Sequence, residues 1–245
     1  MSQQLLTLVT GANQGLGYYA AEILTTQHNH KVLVGCRDLE KGKAAVAKLL
    51  EANPPLDPSQ LEPIVIDLEK DDTITAAAEY IKTKYGYLDI LINNAAGYTF
   101  FQDEMRKEFN HSYNTNVVGT HLVTQALVPL LKASKAPAPG RRIVFVSSTL
   151  GSVAVTLSRP PQTAYLGYSI TKSALNGLAG YYTVLLKEDG ITVTIVCPGY
   201  CATNLNNYSG TAPPEDGAKE LVAMATQGGL DMTGKWFRNG EEVPW

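Results

Sequence analysis

Short runs of Val, Ile and Leu alternate with longer amphipathic stretches along almost the whole chain, and no other feature restricts the fold as much. The runs are Leu5 to Val9, Lys31 to Gly35, Leu61 to Ile66, Leu88 to Ile92, Arg142 to Val146, Ile191 to Val196 and a shorter one near Lys235 to Phe237. Each reads as a strand buried on both faces. Helical stretches fill the intervals at about 16–27, 39–52, 71–85, 104–133, 164–188 and 214–226. Strand and helix in turn predict an α/β fold: a doubly wound parallel sheet of about seven strands with helices on both faces, in one domain over residues 1–245. Prolines mark the loops at Asn53 to Pro58, Ala136 to Gly140 and Arg159 to Pro161.

In such sheets ligands bind beyond the carboxyl ends of the strands, so the residues that follow each strand are where chemistry is expected. After the first strand the chain reads Thr10-Gly11-Ala12-Asn13-Gln14-Gly15-Leu16-Gly17 and enters a helix. Glycine permits a tight turn and close backbone approach, and a helix N-terminus offers unpaired N–H groups to a pyrophosphate. The spacing departs from the Gly-x-Gly-x-x-Gly fingerprint, and a plain strand-to-helix turn also uses glycines. Its place in a strand-turn-helix unit favours nucleotide binding in a Rossmann-type fold, with Gly11, Asn13, Gln14, Gly15, Leu16 and Gly17 as candidate contacts.

The end of the second strand discriminates between dinucleotides, because an acid there suits a ribose 2′-hydroxyl and an arginine suits a 2′-phosphate. Here the chain reads Cys36-Arg37-Asp38. Arg37 is assigned to the phosphate, since a guanidinium matches it in charge and geometry. The plain alternative is a solvated Arg37 with Asp38 capping the next helix. Asp67-Leu68 follows the third strand and Asn93-Asn94-Ala95-Ala96-Gly97 the fourth. Asp67 and Leu68 suit an adenine, while Asn93 and Ala95 suit a loop junction beneath the cofactor; each also fits a cap or turn.

Beyond the fifth strand lies Tyr168-Ser169-Ile170-Thr171-Lys172, which sets a phenol and an ammonium one helical turn apart. A nearby cation favours phenolate, so Lys172 is expected to lower the Tyr168 pKa. The pattern alone is weak: 13 tyrosines and 14 lysines in 245 residues give about 0.7 matches by chance. A second one exists, Tyr80 with Lys84, inside a charged stretch that reads as a solvated helix face. Only Tyr168 begins its helix on the ligand side of the sheet.

Taken in order, these residues resemble the short-chain dehydrogenase/reductase superfamily over nearly the whole chain. Thr10 to Gly17 is similar to its glycine-rich turn, Asn93 to Ala96 to its Asn-Asn-Ala-Gly element with alanine last, Asn116 to its helical asparagine, and Tyr168 with Lys172 to its catalytic pair. Pro198-Gly199 followed by Thr203 resembles its cofactor-closing segment, and the Ser-x-x-Gly phase selects Ser148 over Ser147. The 20 residues from Ser148 to Tyr168 exceed the gap in most relatives of this length. With Arg37, the chain looks most similar to the NADPH-dependent carbonyl reductases.

The resemblance implies reduction of a ketone or aldehyde. Hydride comes from NADPH, Tyr168 protonates the developing alkoxide, Lys172 holds the nicotinamide ribose, Ser148 bonds the carbonyl oxygen, and Asn116 supports a water that replaces the proton. Ser148 also fits a turn hydroxyl and Asn116 a side chain bonding its own helix. An alcohol dehydrogenase working toward oxidation, or a silent nucleotide-sensing scaffold, uses the same fold. Tyr98, Phe100 and Phe101, the stretch Leu150 to Leu157, and Tyr200 to Tyr208 are apolar and aromatic, which points to a bulky uncharged ketone, unless these side chains pack the domain or a subunit contact.

Composition narrows the partners. With 44% hydrophobic residues the chain can bury a large core, and a net charge of −3 argues against a nucleic-acid surface. Three cysteines without a Cys-x-x-Cys pair suit a reducing compartment, and no metal-ligand cluster forms around the four histidines. No run of 18 apolar residues and no leader pattern occur, so a cytoplasmic protein without a membrane partner is expected. Relatives form dimers or tetramers, and those with long Ser-to-Tyr insertions are monomers as well, so a homo-oligomer and a monomer both stay open.

Overall fold

All seven apolar runs become strands, because unbroken Val, Ile and Leu stretches gain most when both faces of the sheet are covered. A computed structural model describes residues 4–98, 104–160 and 165–245. In chain order these form β1 (Leu6–Val9), α1 (Gly15–His28), β2 (Lys31–Cys36), α2 (Leu39–Ala52), β3 (Leu61–Val65), α3 (Asp71–Lys84) and β4 (Ile90–Asn93). There follow α4 (Met105–Tyr113), α5 (Thr120–Ala133), β5 (Arg142–Val146), α6 (Val153–Leu157), α7 (Leu166–Leu185), β6 (Thr192–Val196), α8 (Pro214–Thr226), β7 (Trp236–Arg238) and β8 (Glu241–Glu242). One sheet carries them in the order β3-β2-β1-β4-β5-β6-β7-β8. Every pairing is parallel except that of β7 with β8.

Strand residues divide between two cores by simple alternation. Leu8, Leu33, Leu91, Ile143 and Phe145 face α3, α5 and α7. Val9, Val34, Ile92, Val144 and Val196 face α1, α2 and α8. Helix ends carry their own signals. Asp38 caps α2 by accepting N–H bonds from Glu40 and Lys41, and α3 has Asp71 and Asp72 in its first turn and Lys82 and Lys84 in its last, as the helix dipole favours. Asn29 ends α1 in the left-handed conformation.

Four differences from the sequence reading have physical causes. The sheet has an eighth strand, β8, exposed and only two residues long, too short and too polar to carry a periodic signal. The helix expected over 104–133 is two helices joined by a π-helical turn at Asn114–Gly119. The stretch after Ser148 contains a short helix, α6. The helix expected over 164–188 is α7, with residue 164 outside the described residues. Among the described residues no helix is long and apolar enough to cross a membrane. Arg142, at the start of β5, is buried and donates to the Met224 and Gly228 carbonyls at 3.2 and 2.6 Å, closing the C-terminal end of α8.

His30 is 4% exposed, beside β2, and its Nδ1 lies 2.9 Å from Thr7 Oγ1 on β1. Burial, and secondarily His28, lowers its pKa to about 4. The folded state therefore holds a neutral ring, while the unfolded chain takes up a proton below about 6.5, so stability present above 6.5 drains away as the pH falls toward 4. The expected loss is about 2–3 kcal/mol. Urea denaturation at pH 7 and pH 4.5 checks this: His30→Gln should flatten the difference between the two, and an equal pH dependence in both proteins would remove His30 as the cause.

Candidate active site

Strand order reverses between β1 and β4, and a crevice opens beyond the carboxyl ends of strands at such a point. A cleft of about 340 Å³ lies there. Gly11 and Gly15 adopt φ of +65° and +56°, left-handed values that glycine reaches without strain. A Cβ on Gly11 would sit 3.0 Å from the Ala95 backbone. The N-cap of α1, Gln14, makes no side-chain bond to the first-turn N–H groups. This open N-terminal turn fits the pyrophosphate of a dinucleotide.

Most residues singled out for the cofactor line this cleft: Gly11, Asn13, Gln14, Gly15, Leu16, Arg37, Asp67, Leu68, Ala95 and Thr203. Six do not: Tyr168, Lys172, Pro198 and Gly199, described below, and two that packing keeps out, Gly17 and Asn93. Gly17 is buried within the α1 turn, where a Cβ would lie 2.6 Å from both Asn94 Nδ2 and the Gly11 carbonyl oxygen. Asn93, the last residue of β4, points into the protein and donates to Thr124 Oγ1 at 2.9 Å. Asn94 makes the junction instead, donating through Nδ2 to the Thr10 carbonyl at 2.8 Å. Thr10 Oγ1 in turn accepts the Asn94 and Ala95 N–H groups, each at 3.0 Å.

Arg37 is exposed at the cleft wall with Lys41, which sits one turn into α2. The sequence reading passed over Lys41, although its position four residues beyond Arg37 was a usable signal. Asp38 is the α2 cap, as its plain alternative held. Across the cleft, Glu69 bonds Thr115 and pairs with His111 at 3.5 Å. The loop after β3 also touches the π turn: a Cβ on Gly119 would overlap the Leu68 carbonyl.

Tyr168 and Lys172 stand on the first turns of α7, against the carboxyl ends of β5 and β6. Lys172 is 2% exposed and donates from Nζ to the Val146 carbonyl at 2.8 Å. Its Nζ lies 5.5 Å from the Tyr168 ring centre. Burial lowers the Lys172 pKa to about 8, with the Cys197 thiol opposing. Burial pushes the Tyr168 phenol well above the usual range, and Cys197 adds to this. The expected depression by lysine does not show in this arrangement: burial raises the phenol, and the ammonium is engaged with a carbonyl.

Ser148 and Ser147 separate cleanly. Ser147 is buried and donates to Asn176 Oδ1 at 2.6 Å. Ser148 is partly exposed, and its Oγ accepts the Leu150 N–H at 3.2 Å. Asn116 lies in the π turn with its carboxamide fully engaged: Oδ1 accepts from Gly97 N–H at 2.8 Å, and Nδ2 donates to the Gly97 carbonyl at 2.9 Å and to Thr171 Oγ1 at 3.2 Å. Single π turns of this kind recur at functional sites.

Tyr98 links the two halves. It lines the cleft, and its ring lies 5.8 Å from Tyr168 and 6.1 Å from Tyr165. Tyr165, missed in the sequence reading, shares a hydrogen bond with Tyr200 that raises its phenol. Phe100 and Phe101 lie outside the described residues. Beyond β6, Gly199 takes φ +84° and the Pro198 carbonyl accepts from Cys201 Sγ at 3.2 Å. Neither lines the cleft; they turn the chain so that Thr203 reaches it, within 3.4 Å of where a Gly15 Cβ would stand. Among the described residues no group of three metal-ligating side chains occurs.

The family model described as short chain dehydrogenase matches residues 6–213. The short-chain dehydrogenase anuI of Penicillium roqueforti is 40% identical over 233 residues, covering 91% of this chain and 89% of that one. The NADPH carbonyl reductase 1 of Sus scrofa is 30% identical over 266 residues, covering 91% and 88%. The crystal structure of NADPH-bound carbonyl reductase from chicken fatty liver has a TM-score of 0.83 and 25% identity, covering 99% of this chain and 100% of its own. The chain belongs to the short-chain dehydrogenase family, with carbonyl reductases among its relatives.

Proposed function

We propose that this protein is an NADPH-dependent reductase of ketones or aldehydes, acting on a bulky, uncharged and aromatic carbonyl compound. The observation that carries the proposal is the pairing of half-buried Tyr168 with buried Lys172, joined through Tyr98 to a cleft that Arg37 also lines. NADPH held in the cleft supplies the hydride. Arg37, with Lys41 beside it, faces a 2′-phosphate as a cation would. The similarity to carbonyl reductases of Sus scrofa and chicken supports the same cofactor.

Tyr168 stays protonated at neutral pH because its phenol is raised by burial, so it is a standing proton donor to the oxygen that gains charge. Ser148 Oγ, partly exposed at the turn after β5, orients that oxygen. Lys172 stays charged below about pH 8 and keeps a positive field beside the phenol. Field and donor both favour an alkoxide only as it forms, which is where rate is gained. The Tyr98 ring lies against both Tyr168 and Tyr165, and Tyr165 bonds Tyr200; such rings favour flat apolar ligands over charged ones.

Consumption of NADPH and NADH with a panel of ketones, quinones and aldehydes tests the proposal. Tyr168→Phe should lower turnover by about 100-fold or more, and unchanged turnover would sink the mechanism. Arg37→Ala should weaken NADPH by about 1.5–3 kcal/mol while sparing NADH; equal losses would show that Arg37 reads no 2′-phosphate. With Lys172 needed as ammonium, kcat/KM for reduction should fall as the pH rises through about 8. A flat profile from pH 7 to 9.5 would remove that role.

A further inference from the structure

The segment that carries Ser148 is held from two directions. On one side Gly151 lies against α7 so closely that a Cβ would stand 2.6 Å from the Lys172 carbonyl carbon. The Gly151 carbonyl accepts from Ser173 Oγ at 2.9 Å and Asn176 Nδ2 at 3.1 Å. On the other side the segment meets Pro244 and Trp245, almost a hundred positions away. Ser152, fully buried, donates from Oγ to the Pro244 carbonyl at 2.7 Å. The Ala154 N–H donates to the Trp245 carbonyl at 3.1 Å. The Trp245 ring lies over α7, where a Cβ on Gly180 would touch it at 3.8 Å.

This contact is anchored in the core. The Val243 N–H donates to the Trp236 carbonyl at 2.7 Å, and the Val243 side chain packs on the cluster that contains the fully buried Trp236. A continuous path therefore runs from β7 through Val243 and Pro244 to Ser152, and from there through the turn at Thr149–Gly151 to Ser148. Trp245 itself is 44% exposed, so a core-filling role does not account for its placement. Hydrogen bonds to a fully buried hydroxyl, in contrast, fix direction as well as distance.

We propose that Pro244 and Trp245 are positioning residues for the reductase reaction: they act as a strut that fixes the Ser148 segment against α7. They touch neither the cleft nor Tyr168 and act only through Ser152 and Ala154. Rate in a two-centre reaction is sensitive to displacements of about 1 Å, so loss of the strut registers in the chemical step before it registers in folding or cofactor affinity. The proposal rests on the reading of Ser148 and Tyr168 given above.

The test compares wild type with a chain ending at Val243, Trp245→Ala, Ser152→Ala and Ser152→Thr, using a ketone reduced by the wild type, with Tyr168→Phe alongside. The chain ending at Val243 should lose about 10-fold in kcat, while its NADPH dissociation constant moves less than about twofold. Amide exchange over residues 148–157 should accelerate while that of β4 and β5 stays slow, a readout independent of activity. Ser152→Thr, which keeps the hydroxyl, should recover what Ser152→Ala loses. Wild-type kcat and unchanged exchange in the shortened chain would overturn the strut, as would parallel losses of kcat and NADPH affinity. Full turnover in Tyr168→Phe sinks the catalytic reading itself; lost turnover there, with unaffected strut variants, sinks the strut alone.

Discussion

The hydrogen bonds between Thr10 and Asn94 hold the site together more than any catalytic side chain does. Two strands adjacent in the sheet leave their carboxyl ends in opposite directions at this point, and loops that diverge do not by themselves stay in register. Thr10 Oγ1 accepts two backbone N–H groups from the β4 loop and donates to the Ile92 carbonyl at 3.3 Å. Asn94 returns a bond to the Thr10 carbonyl. The small groups at Gly11, Gly17 and Ala95 let these loops touch. The cleft is the space left after that contact is made.

The end of the site at Tyr168 depends on a different balance. Lys172 is shielded from water and Tyr168 half-buried, and burial opposes charge on each. A carbonyl from the end of β5 offsets part of the cost for the ammonium, because the strand stops one residue before the turn that carries Ser148. Asn116 binds Gly97 to α7 through Thr171, so the π turn, the β4 loop and the tyrosine helix are tied to one another. The helix carrying Tyr168 and the cleft are thereby linked without sharing a side chain.

The sheet was legible because buried parallel strands leave a signal that needs no partner to be seen. The glycine turn, Arg37 and Thr203 were legible because each follows a strand. Periodicity is blind to finer matters. Asn93 and Asn94 are indistinguishable by type, and only the facing of the last residue of β4 decides which reaches the cleft. A π turn preserves helical composition and shifts only the bonding, so residues 104–133 read as one helix. The two Tyr-x-x-x-Lys pairs are the sharpest case. The expected lysine-phenol bond does form, at 2.9 Å, but in Tyr80 and Lys84 on the surface, where Glu62 gathers both groups. In Tyr168 and Lys172 it does not, because burial and a carbonyl take the lysine first.

Gly119 gives the π turn a further meaning. It lies on the helical run leading to α5, three residues past Asn116, yet its missing side chain is what allows the loop bearing Leu68 to settle at the cleft wall. Selection for a reshaped cleft would therefore return changes at a helix position that does not line it. Residues chosen for redesign by distance from the ligand would omit it.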